Sequence, residues 1–361
     1  LLGGTRKDLE RQINDGFPFL PAGCHMELDR VASQIVLESV RQAVPSRWAA
    51  RVAELKSMAA GVADVTLKAF LSESGLELEE MYGSNRSWTE LRRAAGLQIA
   101  ADGPYDEKLL RGCGRLLHLD DRQRFIAYRR FLDGPDDIRL DPLPTHDRRL
   151  VQMLVASIAD KAVTKATSLA EGAGLLKSHP RVRDELLSII DVLEERISHA
   201  TRSLATHPDV PLQVHARYSR LEILAAFGLR DGAKMPPWQT GVYWAKAAKA
   251  DLLAFTLDKT SGGFSPTTRY RDYALSRELI HWESQGSTRS DSKVGRRYRH
   301  HVKEGSSIML FARRNTAERA FWFLGPATYV RHESEQPMAI TWRLAHPLPA
   351  DLYTAFAAAV A

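Results

Sequence analysis

His207-Pro208-Asp209-Val210-Pro211 divides the chain into two stretches that cannot share one secondary-structure pattern. Two prolines so close together fix two φ angles and remove two backbone donors, so no regular helix or central strand runs through them. Before this segment, apolar residues recur at helical spacing. Leu28, Val31, Ile35, Val40 and Val44 lie on one helical face, and Ser46 can cap a second helix with Val52 and Leu55 inward. Ser87-Trp88-Thr89-Glu90 has the form of a capping box, opening a helix through Ala95 that ends at Gly96. A longer helix is expected from about Asp147 to Leu169, with Leu150, Leu154, Ile158 and Ala162 inward. Another begins near Pro180 and carries Val182, Leu186, Ile189, Leu193, Ile197 and Leu204. Beyond the proline segment the texture changes. A short helix, Arg220–Phe227, closes at Gly228. Strand-like runs follow at Leu252–Leu257, Ile308–Ala312, Ala320–Leu324, Thr328–Arg331 and Ala339–Leu344. The expectation is an α+β chain, with an all-α region over residues 1–205 and a compact, curved β-rich domain over 206–361.

Charge follows the same division. Thr206–Ala361 holds 21 Lys and Arg against 14 Asp and Glu, while the residues before it hold 29 against 30. The whole excess behind the net charge of +6 therefore sits in the β-rich part. A localised positive surface suits a polyanionic partner. Cys24 and Cys113 are too few for a disulfide framework and suit buried thiols of a reducing cytoplasm. No apolar run is long enough to span a membrane, and no signal peptide is visible. The chain opens Leu1-Leu2-Gly3-Gly4 without Met, which suggests a piece of something longer.

Familiar catalytic motifs are missing: no GxxxxGK[ST], HExxH, paired CxxC or GxSxG occurs. His301-Val302-Lys303 has the HxK form of phospholipase-D-type nucleases, but Ile308 stands where the required Asp would be. Asp251 and Asp258-Lys259 read better as a strand-end charge pair than as a nuclease constellation. No catalytic residue, metal ligand or cofactor is expected.

Phe264–Gln285, FSPTTRYRDYALSRELIHWESQ, interleaves two Tyr and a Trp with amide, hydroxyl, carboxylate and guanidinium groups. That mixture suits a pocket for a planar polar ligand, such as a nucleic-acid base. Tyr270, Tyr273 and Trp282 are candidate stacking faces. Asp272, Ser276 and Gln285 are candidate readers of the base edge. Each has a plainer reading: Trp282 as core, Asp272 paired with Arg269 or Arg277, His281 as a structural histidine. Candidate backbone contacts are Arg217, Arg220, Arg269, Arg289, Lys293, Arg296, Arg297 and Arg299. The last five fall in Ser287–Lys303, where Gly, Ser and Asp suggest a mobile basic loop.

His215-Ala216-Arg217-Tyr218-Ser219-Arg220-Leu221-Glu222-Ile223-Leu224 opens a set of motifs continued by Gly241-Val242-Tyr243 and by Phe264–Tyr273. Ser276, His281-Trp282-Glu283-Ser284-Gln285 and Phe323-Leu324-Gly325-Pro326-Ala327 complete it. Together these resemble the DUF3427 domain at the C-terminus of bacterial superfamily II DEAD/DEAH-type helicases, over about Leu212 to Pro349. Gly16–Cys24 and Leu28-Asp29-Arg30 resemble the segment that follows the motor in the same proteins. The resemblance implies a helical coupler joined to an SRA/PUA-like module that flips methylated cytosine out of double-stranded DNA. Some such helicases carry a nuclease and resemble type IV modification-dependent restriction enzymes, so helicase and nuclease domains of a parent chain are the implied partners. Two other readings stay open: a protein-interaction module regulating a motor, and a nuclease with an unrecognised site.

Overall fold

The computed structural model describes residues 29–43, 48–62, 64–83, 86–97, 99, 103–135, 140–159, 168–197, 200–229, 235–238, 240–258 and 272–358. It divides into two compact units, 1–102 and 103–361.

The first unit is helical: α1 (Arg30–Ala43), α2 (Trp48–Gly61), α3 (Leu67–Ser74), α4 (Leu78–Tyr82) and α5 (Trp88–Ala94). Local signals set the helix ends. Thr66 caps α3 by accepting from the Ala69 amide, and Gly75 closes it at φ 66°. Ser87 and Glu90 form the reciprocal capping box of α5 that the sequence predicts. Leu55, Phe70, Leu78, Met81 and Leu91 are fully buried, and the Phe70 ring lies 5.3 Å from that of Trp88. In α1 the stripe is not as expected: Leu37 is buried and Ile35 is 48% exposed. The five-residue step from Ile35 to Val40 turns the pattern by about 140°, too far for one narrow face. Leu28, Val44 and Ser46 lie outside the described residues.

The second unit begins with α6 (Asp106–Cys113), α7 (Arg122–Asp133), α8 (Thr145–Ile158), α9 (Leu169–Lys177) and α10 (Pro180–Glu194). The helix expected through Leu169 stops at Ile158, and α9 is a separate helix capped by Ser168. Ala162 lies outside the described residues. α10 ends at Glu194, short of Ile197 and Leu204. Leu204 is still buried, because non-helical chain carries it into the same core. An apolar stripe records burial, and burial continues where the helix does not.

After β1 (Arg202–Ser203), β2 (Gln213–Val214), β3 (Arg217–Tyr218) and α11 (Arg220–Ala226) comes the main sheet. Its strands are β4 (Val242–Ala245), β5 (Ala250–Thr256), β6 (Tyr273–Ala274), β7 (Leu279–Glu283), β8 (Ser307–Arg313), β9 (Phe321–Glu333) and β10 (Ala339–Leu344), ordered β4-β5-β8-β9-β10-β7-β6, with β3 also on β9. The sheet is mixed, since β5 and β8 run parallel while the other pairs are antiparallel. The fold is α+β, and among the described residues the sheet is open rather than a closed barrel.

The two strand-like runs flanking Gly325-Pro326 are one strand, β9. Its first half pairs with β8 and β3, its second with β10. The register shifts beside Gly325, which sits at φ 96°, and a Cβ there would lie 3.0 Å from Val214 Cγ1. This bulge reverses the inward face: before it Phe321 and Phe323 join one core while Leu324 joins the other by ordinary alternation, and after it the odd-numbered Ala327 and Tyr329 face that second core.

Strand alternation thus feeds two cores. Ala250, Leu252, Ala254, Met309 and Phe311 pack with α11 and with Leu150, Met153 and Ala156 of α8. Leu253, Phe255, Ile308, Leu310, Ile280, Trp282, Ile340 and Trp342 form the second core with Tyr298 of α12 (Lys293–His300) and with Leu352 and Phe356 of α13 (Ala350–Ala358). β5 is buried along its whole length, as a strand covered on both faces must be.

A buried ionic cluster fastens α7 to β3 and α11. Arg124, 0% exposed, donates to Glu222 at 2.8 Å, to the Arg217 carbonyl at 2.8 Å, to Asp120 at 3.2 Å and to Asp121. Its guanidinium also lies 4.1 Å from the Tyr218 ring centroid. Glu222 meets His118 at 2.5 Å and accepts from the Ser219 amide at 2.7 Å. Burial alone would raise the Glu222 carboxyl, but His118 and Arg124 outweigh it and hold it at about 2. A carboxyl lowered on folding contributes stability above its unfolded value, and that contribution is lost as pH falls through the folded one. Acid titration of unfolding free energy should therefore show a fall between about pH 4.5 and pH 2, on the order of 3 kcal/mol. Glu222→Gln should flatten that window and be less stable at neutral pH by a similar amount, since Arg124 keeps its burial and loses a counter-charge.

Candidate nucleic-acid interface

β4 is an edge strand, and its register sets Trp244 opposite Asp251 at the start of β5. Asp251 is 1% exposed, and desolvation pushes its carboxyl up. α12 brings the opposing charge. Arg297 Nε and Nη2 donate to the two Asp251 oxygens at 2.6 and 2.7 Å. The same guanidinium lies 4.2 Å from the centroid of Trp244.

Three contacts fix α12 in this position. Ser292 caps it by accepting from the Gly295 amide. Gly295 lets the helix touch the preceding turn, since a Cβ there would fall 2.1 Å from the Arg289 carbonyl oxygen. Tyr298, 1% exposed, meets Trp282 and Trp342 edge-on at 5.7 and 6.2 Å. Ser287–Lys303 is therefore a capped helix entered from a short turn. Its glycine serves packing, which is why composition alone suggested a loop.

Between β4, the turn after β7 and the first turn of α12 lies a cavity of about 460 Å³. Tyr243, Trp244 and Tyr298 contribute aromatic surface, Gln285, Ser287, Thr288 and Ser292 polar groups, and Lys293 and Arg297 positive charge. The volume falls within the range of small-ligand sites, roughly 300–1,000 Å³.

The expected site residues separate. Gln285, Lys293 and Arg297 line the cavity. Trp282 is 3% exposed in the second core. Asp272 is buried and accepts from the Glu283 amide at 3.0 Å, bracing β6 against β7. Ser276 accepts from the amides of Glu278 and Leu279 at 3.2 Å each, closing the turn between those strands. The Tyr273 ring lies 4.7 Å from that of His281, its register partner, in a tilted arrangement. Tyr270 and Arg269 lie outside the described residues.

Among the basic residues, Lys293 and Arg296 are exposed on α12, and Arg289 is exposed beside Asp291 at 3.1 Å. Arg299 is half-buried, and its positive charge acts on the Tyr329 hydroxyl, which meets His332 Nδ1 at 2.6 Å. Arg217 donates to Asp120 at 2.9 Å and covers Trp322 at 5.1 Å. Arg220 donates to the Trp238 carbonyl at 3.2 Å.

Residues 212–356 match the family model described as "Domain of unknown function (DUF3427)". No curated protein matches the chain. The matched span takes in the cavity, the second core and the sheet side of the first, whose Leu150, Met153 and Ala156 lie outside it. Sequence reasoning missed Trp244, Thr288, Ser292 and the coupling of Asp251 to Arg297. The available signals were the aromatic pair in Val242-Tyr243-Trp244-Ala245, a short edge strand, and Ser292 standing three residues before Gly295 as a cap.

Because Asp251 stays buried when its partner is removed, Arg297→Met should cost about 3–5 kcal/mol in denaturant titrations. Adding Asp251→Asn should recover part of that loss. Trp282→Ala should cost about 3–5 kcal/mol as a core truncation.

Proposed function

We propose that residues 206–361 act as a DNA-binding reader that accepts a modified base, 5-methylcytosine, in the cavity beside α12, and that the preceding helical region couples this event to helicase and nuclease domains of a parent chain in restriction or defence. In this reading the fragment binds and does not catalyse. The observation that carries it is the cavity, where aromatic and neutral hydrogen-bonding groups meet the exposed cations of α12. A flipped base needs an aromatic surface to replace lost stacking, polar groups for its edge, and cations for the displaced backbone. Trp244 and Tyr243 suit the first role, Gln285 and Thr288 the second, and Lys293 and Arg296 the third. Among the described residues no helix is long and apolar enough to cross a membrane.

The experiment is a titration of the full chain with duplexes that differ only in one 5-methylcytosine. Tighter binding to the methylated duplex supports the reading, and equal weak binding to both removes the base-specific part. Trp244→Ala should cost about 1–3 kcal/mol of affinity, the range of one base–aromatic stack. Lys293→Ala with Arg296→Ala should lower affinity on both duplexes alike and reduce the salt slope by about 2. Absence of any salt-dependent binding would favour a protein-interaction role instead.

A further inference from the structure

On the other face of the sheet, where the parallel strands β5 and β8 end, two arginines converge on one aromatic ring. The Arg313 and Arg220 guanidiniums lie 4.7 and 5.5 Å from the centroid of Phe321. Arg220 also lies 5.6 Å from the ring of Trp238. Like charges on partly buried side chains ordinarily draw a carboxylate between them, and none is placed there among the described residues. Arg313 spends Nε on the Thr256 hydroxyl at 2.9 Å and Nη1 on the Glu318 carbonyl at 2.7 Å. Glu318, whose carbonyl Arg313 already uses, gives both carboxylate oxygens to Arg314, accepting from Nε at 2.5 Å and from the amide at 2.8 Å. Glu222, two residues after Arg220, is held by Arg124 and His118.

The cluster also holds unused donors. Among the described residues, Arg220 Nε is buried and has no hydrogen-bond partner. Trp238 is 6% exposed, and its indole N–H is likewise buried and unpartnered. Buried donors left unpaired cost about 1–3 kcal/mol each, so two beside two cations call for an acceptor. Desolvation lowers the pKa of both Arg220 and Arg313, and their mutual repulsion adds to it for Arg220. A bound anion would relieve both penalties.

We propose that Arg220, Arg313 and Trp238 form a phosphate-binding site, separate from the cavity beside α12. The guanidinium fork and the indole N–H offer several donors to tetrahedral oxygens, and the neighbouring rings exclude water. The phosphate is either a diester of a nucleic-acid backbone or a free phosphate group, and the two are separated by experiment. The site does not depend on base recognition.

The test is calorimetric titration of the full chain with inorganic phosphate against chloride at matched ionic strength, with thermal melting in the same buffers. Phosphate should bind and raise the melting temperature where chloride does not. Arg220→Gln and Arg313→Gln should each weaken phosphate binding about tenfold, the loss of a charge-assisted hydrogen bond. Trp238→Phe keeps the ring and removes only the N–H, so it should weaken phosphate binding in a protein that still folds. No phosphate effect on the unaltered chain, or an effect unchanged in all three variants, overturns the proposal. A parallel loss of duplex binding in Arg220→Gln identifies the ligand as a backbone diester. Unchanged duplex binding identifies a free phosphate or a small phosphorylated molecule. Failure of the methylated-duplex experiment leaves the phosphate-binding and melting outcomes untouched, since those are read with phosphate alone.

Discussion

Arg124 is the residue on which the second unit turns. A fully buried guanidinium is tolerated only when nearly every donor is matched, and here the matches come from three places in the chain. Asp120 and Asp121 precede it, Glu222 lies on α11, and the Arg217 carbonyl lies on β3. The pairing fixes the helical segment against the start of the sheet, and the shared core of α8, α11, β5, β8 and β9 fills in around it. Glu222 serves two ends at once: it closes the capping box of α11 with Ser219 and compensates Arg124. A local folding signal and a long-range charge match are the same side chain.

The same logic is repeated at a smaller scale beside the cavity. Asp251 begins a strand that is otherwise apolar, and Arg297 reaches it from α12. In both places a carboxylate at an element boundary selects an arginine from a distant helix. Arg297 is therefore occupied twice, by Asp251 and by the face of Trp244. Lys293 and Arg296, exposed on α12, carry charge that is not tied to Asp251.

Much of the fold was legible in the sequence because it rests on local rules. The capping box at Ser87, the end of α11 at Gly228 and the core strands β5, β8 and β10 follow from spacing and turn chemistry. Less local features were not legible. β9 reads as two strands because Gly325-Pro326 looks like a break, whereas the positive φ at Gly325 makes a bulge that keeps the strand going. The polar aromatic cluster Phe264–Gln285 reads as one pocket, but pleating sends alternate residues of β7 to opposite faces. Ile280 and Trp282 enter the core while His281 meets Tyr273 on the other side. Hydrogen-bonding groups there close turns and brace a short strand, roles that composition cannot separate from ligand binding. Of the described residues of this cluster, Gln285, just past the strand, is the one that reaches the cavity.

The anchoring of α12 has a kinetic side. Tyr298 is wedged against two tryptophans and Gly295 seats the helix on the turn before it. In the proposed reading, a ligand entering beside Trp244 would meet walls already in place and order little of the chain as it bound. Capture there would then require no slow rearrangement of α12, and differences between related ligands would belong to how fast they leave rather than to how fast they arrive.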